Sequence, residues 1–135
     1  MRASDFVGAG TASLYSLTVV PRVLAGEPVA YVGDPDAAHG WTYAGDAART
    51  LIAASQDDRA WGRAWHIPST TVSARELIER LAEVAGAPAG KFEQMAPDEF
   101  DQIAAADPIM AEAREMLYLF HQPLILDAAG FWVVS

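Results

Sequence analysis

The stretch His39-Gly40-Trp41-Thr42-Tyr43-Ala44-Gly45-Asp46 constrains this chain more than any other, because it reads as a short strand feeding directly into a helix. Trp41 and Tyr43 alternate with smaller residues, which predicts a half-buried strand. Asp46 falls where a helix N-cap belongs, ahead of Ala47, Ala48, Leu51 and Ile52. Other short strands alternate with helices along the chain, and that alternation specifies an α/β (α+β) fold. The strands are too short and scattered to build a large parallel sheet alone.

The punctuation around this junction is local and readable. Gly8 and Gly10 sit in a loop, and Ser13 is placed to cap a helix holding Leu14, Leu17 and Val20. Pro21 lies inside that pattern without an N–H to donate, so either the helix kinks there or a new one starts with Pro21 in its first turn. Gly26 and Pro28 stop it. Residues 29–32 read as a strand, 33–36 as a turn, and 64–67 as a strand ended by Pro68. Ser73 and Glu76 form a capping box ahead of the stripe Leu77, Ile78, Leu81, Ala82 and Ala85, with Gly86 as the stop. Residues 91–95 suggest a strand. Pro97-Asp98-Glu99 opens a helix with Phe100, Ile103 and Ala104 on its apolar side, and Asp107-Pro108 caps another carrying Ile109, Met110, Ala113, Met116, Leu117 and Phe120. A final strand is expected at 123–126, a turn at 127–130, and an apolar segment at 131–134.

Composition removes several function classes. The 135 residues fit one domain, 1–135, and 52% hydrophobic residues supply a core. With no cysteine, disulfides, thiolate nucleophiles and Cys-based zinc or iron–sulfur sites are excluded, and a cytoplasmic location is the natural expectation. Nine basic residues against eighteen acidic ones give a net charge of −9, which repels nucleic acid and anionic membrane surfaces. No apolar run approaches the ~20 residues of a membrane span. Asp5 close behind Arg2, with no apolar run following, argues against a signal peptide.

The chemistry-bearing residues are sparse. His39, His66 and His121 are widely spaced and form no metal-ligand motif, so no metal is expected. His39 stands apart because it precedes two aromatics beside a helix N-terminus, where it could polarise or hydrogen-bond a ligand. There is no GxSxG, no phosphate-binding P-loop and no paired carboxylate in apolar surroundings. Trp41, Tyr43, Trp61, Trp65 and Trp132 read as core or interface residues whose polar tips suit a pocket mouth.

Several stretches, in order along nearly the whole chain, carry a resemblance. Arg2-Ala3-Ser4-Asp5-Phe6-Val7-Gly8-Ala9-Gly10 resembles the R-x-S-[ND]-x-[YF]-G-P-G segment of extended short-chain dehydrogenases/reductases, the NAD-dependent epimerase/dehydratase family, with Ala9 where that family usually has Pro. Residues 39–46 resemble the family's R-D-x-x-[YFH]-[VI]-x-D-x-A element, with His39 and Gly40 in place of Arg and Asp. Residues 64–68 and the Ser73 helix resemble the strand and helix that follow. The resemblance implies a substrate-binding half without its Rossmann sheet: the GxxGxxG loop is absent, and none of Tyr15, Tyr31, Tyr43 and Tyr118 has Lys four residues on. It implies that residues matching Ala3, Ser4 and Asp5 approach the nicotinamide end of the cofactor or the substrate. Losing the Arg removes a phosphate clamp, which weakens a nucleotide-sugar reading.

The expectation is therefore a stand-alone domain, non-catalytic alone and with no catalytic residues of its own. It would bind a small ligand through Ser4, Asp5, His39, Trp41 and Tyr43, or bind a partner, and it would homodimerise through apolar segments such as 6–7 and 131–134. No cofactor is expected in the isolated chain. The alternative is the substrate-binding part of a split or truncated oxidoreductase or epimerase, in which NAD(P) comes with a nucleotide-binding partner.

Overall fold

A computed structural model describes residues 1–130 of the chain. Short elements alternate in the order β1 (Asp5–Val7), α1 (Leu14–Thr18), α2 (Val20–Leu24), β2 (Val29–Tyr31), β3 (Ala38–Tyr43) and α3 (Ala44–Ser55), then β4 (Thr70–Ser73), α4 (Ala74–Ala85), β5 (Phe92–Gln94), α5 (Pro97–Ala106), α6 (Pro108–Ala113) and α7 (Tyr118–His121). They form two compact units. Among the described residues, the first comprises Met1–Thr18, His39–Val72 and those from Ile125 onward, and the second Val19–Ala38 and Ser73–Leu124.

The first unit is organised on a three-stranded sheet of order β1-β3-β4. β1 and β3 run parallel, with Asp5, Phe6 and Val7 beside Trp41, Thr42 and Tyr43. β3 lies between two neighbours, so His39, Gly40, Trp41 and Thr42 are buried in succession. This corrects the half-buried alternation expected of 39–43: a strand paired on both edges and covered on both faces has no solvent side. Only Tyr43, at the strand's end, is exposed. Helix α3 follows without a loop. Tyr43 occupies its N-cap, and Asp46 lies in the first turn, where it pairs with Arg49. Asp46 is therefore not the cap. Its carboxylate favours the positive helix end from inside the first turn. The helix buries Ala47 and Thr50 and leaves Leu51 and Ile52 exposed.

The expected strand at 64–67 is a single parallel bridge between Arg2 and His66. The Arg2 N–H donates to the Trp65 carbonyl and the Ile67 N–H to the Arg2 carbonyl, both at 2.8 Å. One residue of partner strand leaves no ladder to extend. Trp65 is buried and donates its indole N–H to the Ala60 carbonyl at 2.8 Å, while Trp61 is 67% exposed. Trp132 and the apolar segment 131–134 lie outside the described residues.

In the second unit β2 and β5 pair in parallel, with Val29, Ala30 and Tyr31 beside Phe92, Glu93 and Gln94. The local signals hold there. Pro21 opens α2 as a new helix, and the Ser73 hydroxyl caps α4 by accepting the Glu76 N–H at 3.1 Å. The Glu76 carboxylate turns to Arg80 instead of completing the box. α4 buries Ala74, Ile78 and Ala82 and ends at Gly86 in the left-handed conformation. Asp107 caps α6. The helix expected beyond it breaks after Ala113 into a 3-10 turn at Arg114–Met116 and the short α7. Residues 123–126 form no strand; Leu124 gives a single N–H to the Ala38 carbonyl.

Candidate functional site

The parallel pairing of β1 with β3 brings Asp5, and Ser4 just ahead of it, beside the strand that carries His39, Trp41 and Tyr43, from positions 34 and more residues apart in the chain. Their environments differ sharply. The Nε2–H of His39 donates to Asp5 Oδ2 at 2.8 Å, with the histidine side chain 5% exposed and the Asp5 side chain 41% exposed. A buried imidazole thus fixes the orientation of a carboxylate that solvent can reach. Behind it, the Trp41 ring lies 4.7 Å from both the His39 and the Tyr15 ring, and its indole N–H donates to the Val72 carbonyl at 3.1 Å. Trp41 is consequently core. It supports the pair and presents nothing to a ligand.

Ser4 is also buried, and its hydroxyl donates to the Gly40 carbonyl at 2.5 Å. The Ser4 N–H reaches Thr42 Oγ1 at 3.2 Å, the Thr42 hydroxyl lies 2.8 Å from Ser69 Oγ, and the Ser69 hydroxyl donates to the Ile67 carbonyl at 3.0 Å. Because Ser69 spends its one proton on Ile67, the Thr42 hydroxyl donates to Ser69. This chain of bonds clips the segments around residues 4, 42 and 69 together. Sequence reading missed Thr42 and Ser69, and neither carries a local pattern that could have revealed them.

Tyr43 stands over the loop after β1. A Cβ on Gly8, which has φ +129°, would come within 2.9 Å of its ring, and one on Gly45 within 2.6 Å. Both glycines are needed for that ring to lie where it does. The strand–helix junction does not fit a dinucleotide pyrophosphate, because the aromatic ring crowds the start of α3 and Asp46 places an anion in its first turn. His66 Nδ1–H is bound to the Asp127 carbonyl at 2.9 Å. Among the described residues no group of three or more His, Asp or Glu side chains is placed to hold a metal ion. No helix there is long and apolar enough to cross a membrane.

The second unit contains a cleft of about 400 Å³ that the sequence did not announce. Tyr31, the turn Gly33-Asp34-Pro35-Asp36, Arg75 and the β5 residues line it, with His121 at its side. Arg75 donates through Nε and Nη2 to the two carboxylate oxygens of Asp36, at 2.7 and 3.1 Å. That bond holds the Asp36 carboxyl below its usual range and the Arg75 guanidinium above its own.

No protein-family model matches this sequence, and no curated protein matches it either. Solved structures do. An epimerase from the methanogen Methanothermobacter thermautotrophicus matches with a TM-score of 0.58 at 18% identity, over 98% of this chain and 40% of its own. A UDP-N-acetylglucosamine 4-epimerase from Bacillus cereus matches with 0.56 at 14% identity, over 98% and 43%. A dTDP-glucose 4,6-dehydratase from Streptomyces venezuelae, solved with NAD bound, matches with 0.51 at 19% identity, over 98% and 41%. The chain thus spans about 40% of the length of these structures, and its mixed α/β fold is similar to part of the epimerase/dehydratase fold.

Proposed function

We propose that this chain is the substrate-binding portion of an epimerase/dehydratase-like protein, that it does not transfer hydride by itself, and that it binds a small ligand through the exposed face of the Asp5–His39 pair. The observation that carries this reading is the pair itself: a half-exposed carboxylate oriented by a buried imidazole, on the two strands whose sequences resemble the family's substrate-side segments. Asp5 accepts from the ligand, His39 positions Asp5, and Tyr43 offers an exposed ring at the end of β3. Ser4 and Trp41 hold the strands in register and act only through them. The similarity to 40–43% of solved epimerases agrees with a part of that fold. The missing GxxGxxG and Tyr-x-x-x-Lys motifs agree with a chain that lacks hydride chemistry of its own.

Calorimetric titration with NAD(H) and NADP(H) tests it first. No heat at millimolar cofactor is expected. Micromolar binding would mean that the chain builds a dinucleotide site and works as an oxidoreductase.

A second reading is the split or truncated enzyme, in which another polypeptide supplies the nucleotide-binding sheet and NAD(P). Exposed apolar side chains favour it: Phe6 on β1, Leu51 and Ile52 on α3, and Trp61 of the same unit are left uncovered, as surface meant for another polypeptide would be. Activity gained on adding a nucleotide-binding partner, and lost in Asp5→Asn, would establish it.

A further inference from the structure

None of the residues that line the cleft of the second unit belongs to the Asp5–His39 pair, and nothing in the proposed function uses them. Its walls are tied together by ring packing and backbone hydrogen bonds. Tyr31 is buried and packs edge-on against Phe92 and Phe120, with centroids 6.0 and 6.3 Å away. The turn at Gly33 is fastened by the Asp34 N–H donating to the Phe120 carbonyl at 2.9 Å, so closely that a Cβ on Gly33 would collide with that carbonyl. The Arg75 N–H holds the Pro35 carbonyl at 3.0 Å.

The lining chemistry is asymmetric. Three carboxylates, Asp34, Asp36 and Glu93, line it together with the Arg75 guanidinium and the His121 imidazole. Arg75 is already committed to Asp36, and among the described residues neither Asp34 nor Glu93 has a basic partner. Asp34 and the nearby Glu79 still add to the negative field at Arg75 beyond the effect of Asp36. The cleft also shows how it treats a cation: the Arg75 guanidinium lies 4.9 Å over the Phe92 ring while a carboxylate grips its edge. An anion such as phosphate would meet net repulsion there. A flat or slender cation would find an aromatic wall and carboxylates with no other positive partner.

We infer that this cleft is a binding site for a small organic cation, an alkylammonium or guanidinium compound that pairs with Glu93 and Asp34 and lies against the Tyr31–Phe92 wall beside Arg75. This inference is independent of the function proposed above, because it concerns other residues and another ligand chemistry.

Agmatine, which carries a guanidinium and an ammonium group, is the probe. Calorimetry of the full chain should give saturable binding with a Kd below about 1 mM that weakens as salt is raised. Inorganic phosphate and glucose should give none. The amide resonances of Gly33 and Gln94 should move with agmatine. The double variant Asp34→Asn/Glu93→Gln changes two exposed side chains and leaves Asp34's turn-forming oxygen in place, so it should fold normally and bind at least about tenfold more weakly. Phe92→Leu should also weaken binding. Silence with agmatine, or equal binding by the double variant, overturns the inference. Phosphate or glucose moving the same amides overturns it too, assigning the cleft to an anion or a polyol.

Discussion

Replacing Thr42 by Val keeps the side-chain volume and removes both hydrogen bonds that clip β3 to its neighbours. The Ser4 N–H would be left buried without an acceptor, so Thr42→Val should cost about 1–3 kcal/mol in urea unfolding, and Ser69→Ala distinctly less. The neighbouring Asp5→Asn should leave stability near the parent value, because Asp5 is half exposed, while weakening whatever ligand the pair holds. Asp36 makes a pH prediction. Its folded carboxyl titrates below the ordinary value of 3.8, so its tie to Arg75 helps the folded state above that value and is lost as pH falls through the lower folded value. A carboxyl-detected NMR titration should show this depression, and Arg75→Gln should abolish it. If the Asp36 titration is unchanged in Arg75→Gln, the guanidinium is not its cause. Of these residues only Asp5 carries a sequence signature, in the segment that resembles the family; Thr42, Ser69, Asp36 and Arg75 carry none that points to their partners. A buried threonine and an exposed aspartate look alike until the partner strand or helix is known.

Among the elements, two glycines with similarly unusual backbones should respond very differently. Gly62, at φ +71°, has nothing within 4 Å of a would-be Cβ, so Gly62→Ala should cost only the left-handed backbone penalty, about 1–2 kcal/mol. At Gly33, φ +114°, the Phe120 carbonyl stands where a Cβ would go, and Gly33→Ala should drop Tm well beyond that and disturb the cleft. Ser73→Ala should cost about 1 kcal/mol by uncapping α4. The caps at Ser73 and Asp107 and the stop at Gly86 were legible in sequence, because each is settled within four residues of chain; at Pro21 the sequence left a kink and a restart both open, and the structure has the restart. The failures share the opposite property. Residues 64–67 and 123–126 have strand-like composition, but a strand exists only where a partner of equal length lies alongside, and Arg2 offers one residue. The resemblance put 4–5 and 39–43 on one side of a substrate site, and the structure brings the two segments side by side. It did not foresee that Trp41 would be buried and Tyr43 exposed.

For the whole molecule, exposed Phe6, Leu51, Ile52 and Trp61 in the first unit are the physical basis for expecting association with a second copy or a partner. Sedimentation equilibrium should show a dimer at micromolar concentration. Ile52→Asp, on an exposed face of α3, should shift it to monomer with unchanged circular dichroism. A monomer at every concentration would end the self-association proposal and direct attention to a different protein as the covering surface. The acidic excess of −9 sets a further condition: any association between copies should strengthen as salt screens their repulsion, opposite to the behaviour expected of agmatine in the cleft.

The first unit is assembled from three separate segments and the second from two, so the chain passes from one to the other at residues 18–19, 38–39, 72–73 and 124–125. Neither unit is therefore a contiguous piece that could be expressed alone. On a ribosome, β1 must wait until residue 41 has emerged before it meets its parallel neighbour, and a slow, long-range closure of this kind dominates folding rate. Circular permutants opened near Gly62, where the backbone turns in open space, should refold with altered kinetics and an unaltered native state. A cut within 39–43 should instead leave two fragments that regain structure only when mixed.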